Sequence, residues 1–120
     1  MTLFEALTAA RREIDRLDAR LLLQYATGCT HTDLLARPET PVIAPAYEQF
    51  LAWVERRAAG EPLAYLVGEA EFRGRVFQVS PAVLIPRPET EVLIDLALEK
   101  LRGLAAPKVL DLGTGSGIVA

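Results

Sequence analysis

The chain of 120 residues contains no asparagine at all, one cysteine, one histidine, and two lysines against eleven arginines. A single thiol, Cys29, excludes an intrachain disulfide, and with His31 as the only imidazole it cannot build a zinc site of the usual spacing. Long apolar runs are missing too. The hydrophobic stretches are broken by Arg, Asp or Glu, and no basic region followed by an uninterrupted apolar segment opens the chain. We therefore expect no signal peptide, no membrane span and a cytoplasmic address. Concentrated basic charge is also absent: 13 Lys and Arg are dispersed among 16 Asp and Glu, for a net charge of −3, which argues against a dedicated nucleic-acid binder.

What remains is an ordinary globular composition, 51% hydrophobic and 24% charged. One core fits this length, whereas a complete enzyme with a large sheet and an extra domain needs roughly 200 residues. Thr2-Leu3-Phe4-Glu5 reads as a capping box opening a helix to about Ala10. Arg16 to Thr27 forms a second helix, with Leu17, Leu21 and Tyr25 expected on its buried stripe and Leu22 beside them, and Gly28 supplies a left-handed stop. Thr30 to Ala36 reads as a short helix ended by Pro38. After a loop punctuated by Pro38, Pro41 and Pro45, the spacing of Tyr47, Phe50, Leu51, Val54 and Ala58 predicts another helix, with Trp53 packing beside them. Residues 1–60 are thus expected to be an all-α helical bundle.

Beyond Gly60 the periodicity changes. Glu69 to Ser80 alternates apolar and polar residues around Arg73-Gly74-Arg75, the pattern of a β-hairpin within a linker over 61–82. Phe77 is expected in a core, Phe72 stays open between core and entrance, and Arg73 and Arg75 read as solvated. Val83-Leu84-Ile85 is a brief extended piece. Pro88 suits the first position of a helix that carries Glu89 and Glu91 in its first turn and runs to about Arg102. Lys108 to Leu112 reads as a buried strand, Gly113 to Gly117 as a glycine turn, and Ile118 to Ala120 as the opening of a helix. Residues 83–120 are expected to begin an α/β domain that the chain does not complete.

Gly113-Thr114-Gly115-Ser116-Gly117 after a strand allows a ligand to approach the backbone closely. Its spacing decides among ligands: Ile118 stands where the dinucleotide fingerprint needs its third glycine, and no Gly-Lys pair ends a Walker loop. The remaining pattern, Asp111 followed by the loop, resembles motif I of class I S-adenosylmethionine-dependent methyltransferases. A plain strand-to-helix turn without a ligand is the other reading.

Three further segments extend the likeness. Gly60-Glu61-Pro62-Leu63-Ala64-Tyr65-Leu66-Val67-Gly68, then Glu71-Phe72, then Leu84-Ile85-Pro86-Arg87-Pro88-Glu89-Thr90-Glu91, then Asp111 to Gly117, resemble in order the signature blocks of the bacterial release factor glutamine methyltransferases, the PrmC/HemK family. The resemblance implies a helical release-factor-recognition domain, a hairpin linker and the start of a Rossmann-like methyltransferase domain. It also implies methyl transfer from S-adenosylmethionine to the side-chain amide nitrogen of the Gln in the GGQ loop of class I release factors, by a monomer without direct nucleic-acid or membrane partners. The implied cofactor contacts are Gly113, Thr114, Gly115, Ser116 and Gly117, with Asp111, Arg87, Glu89 and Thr90 beside them.

An amide nitrogen is a poor nucleophile, so such a site works by positioning and by accepting hydrogen bonds from the NH2 group. In the family that task falls to an Asn-Pro-Pro-Tyr motif. With no Asn in the chain, catalytic residues are expected beyond Ala120, as is an acidic residue for the ribose, and the 120-residue chain alone is expected to be inactive. For Arg87, Glu89 and Thr90, the alternative to a cofactor contact is a stiff Pro-braced linker. Cys29 and His31 read as structural. Two other functions fit parts of the pattern: an amino-methyltransferase acting on adenine in DNA or RNA, and a non-catalytic binding or folding module.

Overall fold

A computed structural model describes residues 1–120, which form two compact units, Met1–Val67 and Gly68–Ala120. The first is all helical: α1 (Leu3–Ala10), α2 (Arg16–Thr27), α3 (His31–Ala36), α4 (Ala44–Ala58) and α5 (Leu63–Val67). The helix boundaries follow from local chemistry. In the capping box of α1 the Glu5 amide donates to Thr2 Oγ1 at 3.2 Å, and the Thr2 amide donates to Glu5 Oε2 at 2.9 Å. Asp15 caps α2 by accepting from the Leu17 amide at 3.0 Å, and Thr30 and Asp33 repeat the reciprocal box at α3. Each such cap contributes about 1 kcal/mol. Gly28 closes α2 at φ 76°, a left-handed conformation that costs glycine little.

The core of this unit gathers Leu3, Ala6, Leu7 and Ala10 of α1, Ala19, Leu22 and Leu23 of α2, Leu34, Phe50, Val54 and Leu66. Tyr47 and Trp53 pack against it while half-buried. The structure corrects the stripe expected on α2. Leu17 and Tyr25 are 51% and 47% exposed, whereas Ala19, Leu22 and Leu23 are fully buried. Apolar residues lie on both sides of this helix, and the buried side is the one that holds Ala19 with Leu22 and Leu23. Leu63–Val67, within the stretch read as linker, is helical and buries Leu66.

Polar ties complete the unit. The Leu3 and Phe4 amides, left without partners inside α1, donate to the carbonyls of Thr40 and Pro38 at 2.9 Å each, and Val42 donates to the Met1 carbonyl at 2.8 Å. Arg57 Nε donates to Asp18 Oδ2 at 3.0 Å, joining α4 to α2. Arg56 grips Glu61 with two hydrogen bonds of 2.6 Å and holds its carboxyl below the usual 4.5.

In the second unit, β1 (Glu69–Phe72) and β2 (Arg75–Gln78) pair antiparallel with Phe72 opposite Arg75 and Glu69 opposite Gln78. The two-residue connection places Arg73 at φ 51° and Gly74 at φ 74°, the positive pair that hairpins of this length favour. Phe72 and Phe77 meet edge to face with ring centroids 6.4 Å apart. Phe77, expected in a core, is only half-buried, whereas Phe72, which the sequence leaves open, is 3% exposed. Helix α6 (Pro88–Leu101) forms as expected from Pro88, yet none of its residues is buried.

Two expectations fail here. Lys108 to Leu112 is not a strand, and Ile118 to Ala120 is not a helix. The only sheet is the hairpin, and the structure does not show the expected Rossmann-like beginning. A strand needs a neighbour for its N–H and C=O groups and cover for its faces. Neither hairpin strand pairs with 108–112, and Val109, Leu110 and Leu112 are 71%, 80% and 82% exposed. Nor is any helix of the chain long and apolar enough to cross a membrane.

Two measurements check this description. Leu22→Ala should cost about 2–5 kcal/mol in urea unfolding followed by helical circular dichroism, while Leu17→Ala should stay within about 0.5 kcal/mol. Equal effects would restore the discarded stripe. For the Arg56–Glu61 pair, a depressed carboxyl stabilises the fold above the usual glutamate value, and that stability is lost as the pH falls through the lowered value. Glu61→Gln should therefore lower Tm at neutral pH, and the gap to wild type should close in acid.

Candidate functional site

The second unit holds two cavities that share the residues after the glycine turn. The first, a cleft of about 210 Å³, is walled by residues 84–87 and Thr90 on one side and by Gly113, Thr114, Gly115 and Ser116 on the other, with Ile118 and Val119 at its end. It thus brings together two segments that lie more than twenty residues apart in sequence. Arg87 is the exposed N-cap of α6, in extended conformation and without a side-chain cap bond, and Pro88 follows at the first helical position. Proline has no amide hydrogen, and the Thr90 amide donates to the Arg87 carbonyl at 3.0 Å, so the first turn of α6 leaves few free donors and the Arg87 side chain is its main polar group toward the cleft.

The opposite wall is shaped by handedness. Gly113, Gly115 and Gly117 have φ of 66°, 58° and 79°, and the Gly117 amide donates to the Thr114 carbonyl at 2.9 Å to close the turn. A Cβ added at Gly113 or Gly115 would meet nothing within 4 Å. The glycines are required by their backbone conformation, and the space beyond them is open for a ligand to approach. A β-branched residue at 115 would strain the turn before it touched anything.

Not every expected residue reaches the cleft. Glu89 is exposed and lies outside it, and Gly117 faces the second cavity. Asp111 does not line it either, but its Oδ2 is buried with no hydrogen-bond partner. Leaving such an acceptor unsatisfied costs about 1–3 kcal/mol or more, so a donor arriving there would be favoured. Leu84, Ile85, Pro86, Ile118 and Val119 are lining residues that reading by motif passed over. Their only signal was adjacency to the two polar segments.

The second cavity, about 480 Å³, has Phe72 and Phe77 of the hairpin, Ile94 and Leu98 of α6, and Gly117 to Ala120 around it, with Arg73 and Arg75 at its edge. Arg73 is exposed, as expected, and also has partners: its amide donates to Glu91 Oε1 at 2.9 Å and its Nη1 donates to Asp95 Oδ1. Elsewhere, Cys29 Sγ lies 3.0 Å from the Thr27 hydroxyl, and His31 Nε2 lies 3.4 Å from Arg20 Nη1. No group of three or more His, Cys, Asp or Glu is placed to hold a metal ion.

Chemically, the cleft offers a guanidinium, the hydroxyls of Thr90, Thr114 and Ser116, and backbone donors. That set suits a small polar ligand bearing a carboxylate. Comparison with known proteins agrees with this division of the chain. The family model described as PrmC N-terminal domain matches residues 2–68. The chain is 53% identical over 107 residues to a release factor glutamine methyltransferase of Burkholderia pseudomallei, covering 89% of this chain and 38% of that protein. It is 51% identical over 110 residues to that of Bordetella pertussis, with 89% and 40% covered, and 43% identical over 127 positions to that of Moorella thermoacetica, with 100% and 45% covered. The chain therefore spans about two-fifths of the length of these curated relatives.

Proposed function

The chain belongs to the PrmC family, residues 2–68 matching its N-terminal domain, and from that premise we propose that the protein of which it is part methylates the side-chain amide nitrogen of the glutamine in the GGQ loop of class I release factors. The cofactor of this reading is S-adenosylmethionine, which when bound supplies a methyl group activated on a sulfonium. The observation that carries the proposal is the single cleft in which Arg87 and Thr90 meet the loop of Gly113 to Ser116.

The residues present fit the amino-acid end of that cofactor. Arg87, with the Thr90 hydroxyl beside it in the cleft, would hold its carboxylate. Asp111 does not line the cleft; its Oδ2, buried and unpartnered two residues before the loop, would be a further acceptor for the ammonium where the ligand extends beyond the cleft. The open face of Gly113 and Gly115, flanked by the Thr114 and Ser116 hydroxyls, would lie along the ribose side. At about 210 Å³ the cleft is smaller than the roughly 300–1,000 Å³ of ligand pockets, so these residues hold part of the molecule. The remaining contacts, with the Asn-Pro-Pro-Tyr motif that would orient the acceptor amide, belong to the length of the relatives that this chain does not span. The helical unit, on the same reading, serves release-factor recognition, residues 61–82 serve as a linker, and residues 83–120 begin the cofactor domain of a cytoplasmic monomer.

Labelled S-adenosylmethionine tests the proposal. The 120-residue chain should transfer no label to a release factor, and the protein at its relatives' full length should label the GGQ glutamine. No transfer by the longer protein would overturn the function; transfer by the short chain would overturn the placement of the catalytic motif. In the longer protein, Arg87→Ala should weaken cofactor binding about 10- to 100-fold by calorimetry, as loss of a charge-assisted hydrogen bond requires, with an unchanged circular dichroism melt.

A further inference from the structure

A trough on the helical unit has walls that lie wholly between residues 6 and 58. Helices α1 and α4 each pack on α2 and scarcely touch one another, so the space between them stays open. Its floor is apolar: Ala6, Ala10, Phe50 and Val54 are 1%, 4%, 1% and 6% exposed. Leu51 stands on its wall 46% exposed. Two adjoining cavities of about 190 and 360 Å³ make up the trough, with Glu13, Leu51 and Val54 common to both. From Tyr47 to Ala58 it follows α4 for about 16 Å. Over that length a bound helix can set down anchors at i, i+3 or i+4, and i+7.

Charge decides what such a helix carries. The charged side chains lining the trough are Glu13 and Glu55, and neither is in an ion pair. A third cavity at the Glu13 end adds Asp15 and Asp18 together with Arg57, whose guanidinium is already held by Asp18 at 3.0 Å. Arg56 is held in the same way by Glu61, and Arg11 and Arg12 line none of the three cavities. An apolar floor rimmed by unpaired carboxylates complements an apolar stripe flanked by Lys or Arg, and it repels an acidic segment of the same shape. We propose that the trough between α1 and α4 is the docking site of a partner protein's basic amphipathic helix. The inference goes beyond the methyltransferase reading and does not depend on it.

The probe is a synthetic peptide of about 18 residues, five helical turns, with Leu at i, i+3 or i+4, and i+7 and Lys beside that stripe. It should bind the 120-residue chain in fluorescence anisotropy and shift the amide resonances of the residues that line the trough. Leu51→Ala should weaken it about 5-fold, and Glu13→Gln and Glu55→Gln about 3-fold each, with a loss that shrinks in high salt. Leu35→Ala, at a residue 74% exposed on α3 and outside the trough, should leave affinity within about twofold. The circular dichroism melt should stay unchanged in Leu51→Ala and in both glutamine variants. The same peptide with Glu in place of Lys, and a scramble that breaks the Leu stripe, should each bind about 10-fold more weakly or worse. Equal binding of either control peptide, or unchanged affinity in the three trough variants, would overturn the proposal. So would two other occupants: a dimer of the chain that Leu51→Glu dissociates in sedimentation, or loss of peptide binding in the protein at its relatives' full length, where the added chain would then cover the trough.

Discussion

The packing of α2 against α4 is the constraint on which the helical unit depends. Leu22, Leu23 and Ala19 are fully buried on one helix, and Phe50 is 1% exposed on the other. A side chain such as Leu22 gains about 1.5–3 kcal/mol by leaving water, and three residues of α2 do so together with Phe50 and Val54 of α4. The remaining helices attach around this pair. Arg57 and Asp18 add an ion pair between the same two helices, but at 31% and 21% side-chain exposure it orients more than it stabilises.

The second unit is organised on another principle. With Phe72 and Val79 its only buried hydrophobic residues, it has almost no apolar interior to offset the entropy of ordering the chain. Its elements are joined by hydrogen bonds: the hairpin ladder, the Arg73 grip on α6, and the turn closed between Thr114 and Gly117. Large apolar side chains on α6 (Val92, Leu93, Leu96) and in the extended stretch (Val109, Leu110, Leu112) stand more than half exposed. The two kinds of joint have different sensitivities, apolar packing to temperature and exposed ion pairs to salt.

How much could be read from the sequence follows the same line. Capping boxes at Thr2 and Thr30, the stop at Gly28 and the start at Pro88 were legible because each is decided by residues within one turn of helix. The hairpin was legible for the same reason. Which face of α2 is buried was not, since Leu17 and Leu22 are equally apolar and the choice lies with α4. The Val109-Leu110 strand was misread because a strand is a property of two segments. At the candidate site, the glycine loop and the Arg87 to Thr90 segment were each visible as local patterns. Their meeting in one cleft, and the exclusion of Glu89 from it, depend on how the chain returns past the start of α6. The contacts of Arg73 with Glu91 and Asp95 were hidden because a positive φ beside Gly74 leaves no mark on residue type.

The hydrogen bonds at the amino end carry a consequence for how the protein is handled. Leu3, Phe4 and the Met1 carbonyl are all engaged by residues 38–42, so the first residues act as a seam between α1 and the loop ahead of α4. The Met1 carbonyl is the acceptor of the Val42 amide, so displacing residues 1–4 would leave that amide and the carbonyls of Pro38 and Thr40 without their partners. A change in residues 1–4 is thus felt at the loop that leads into the longest helix.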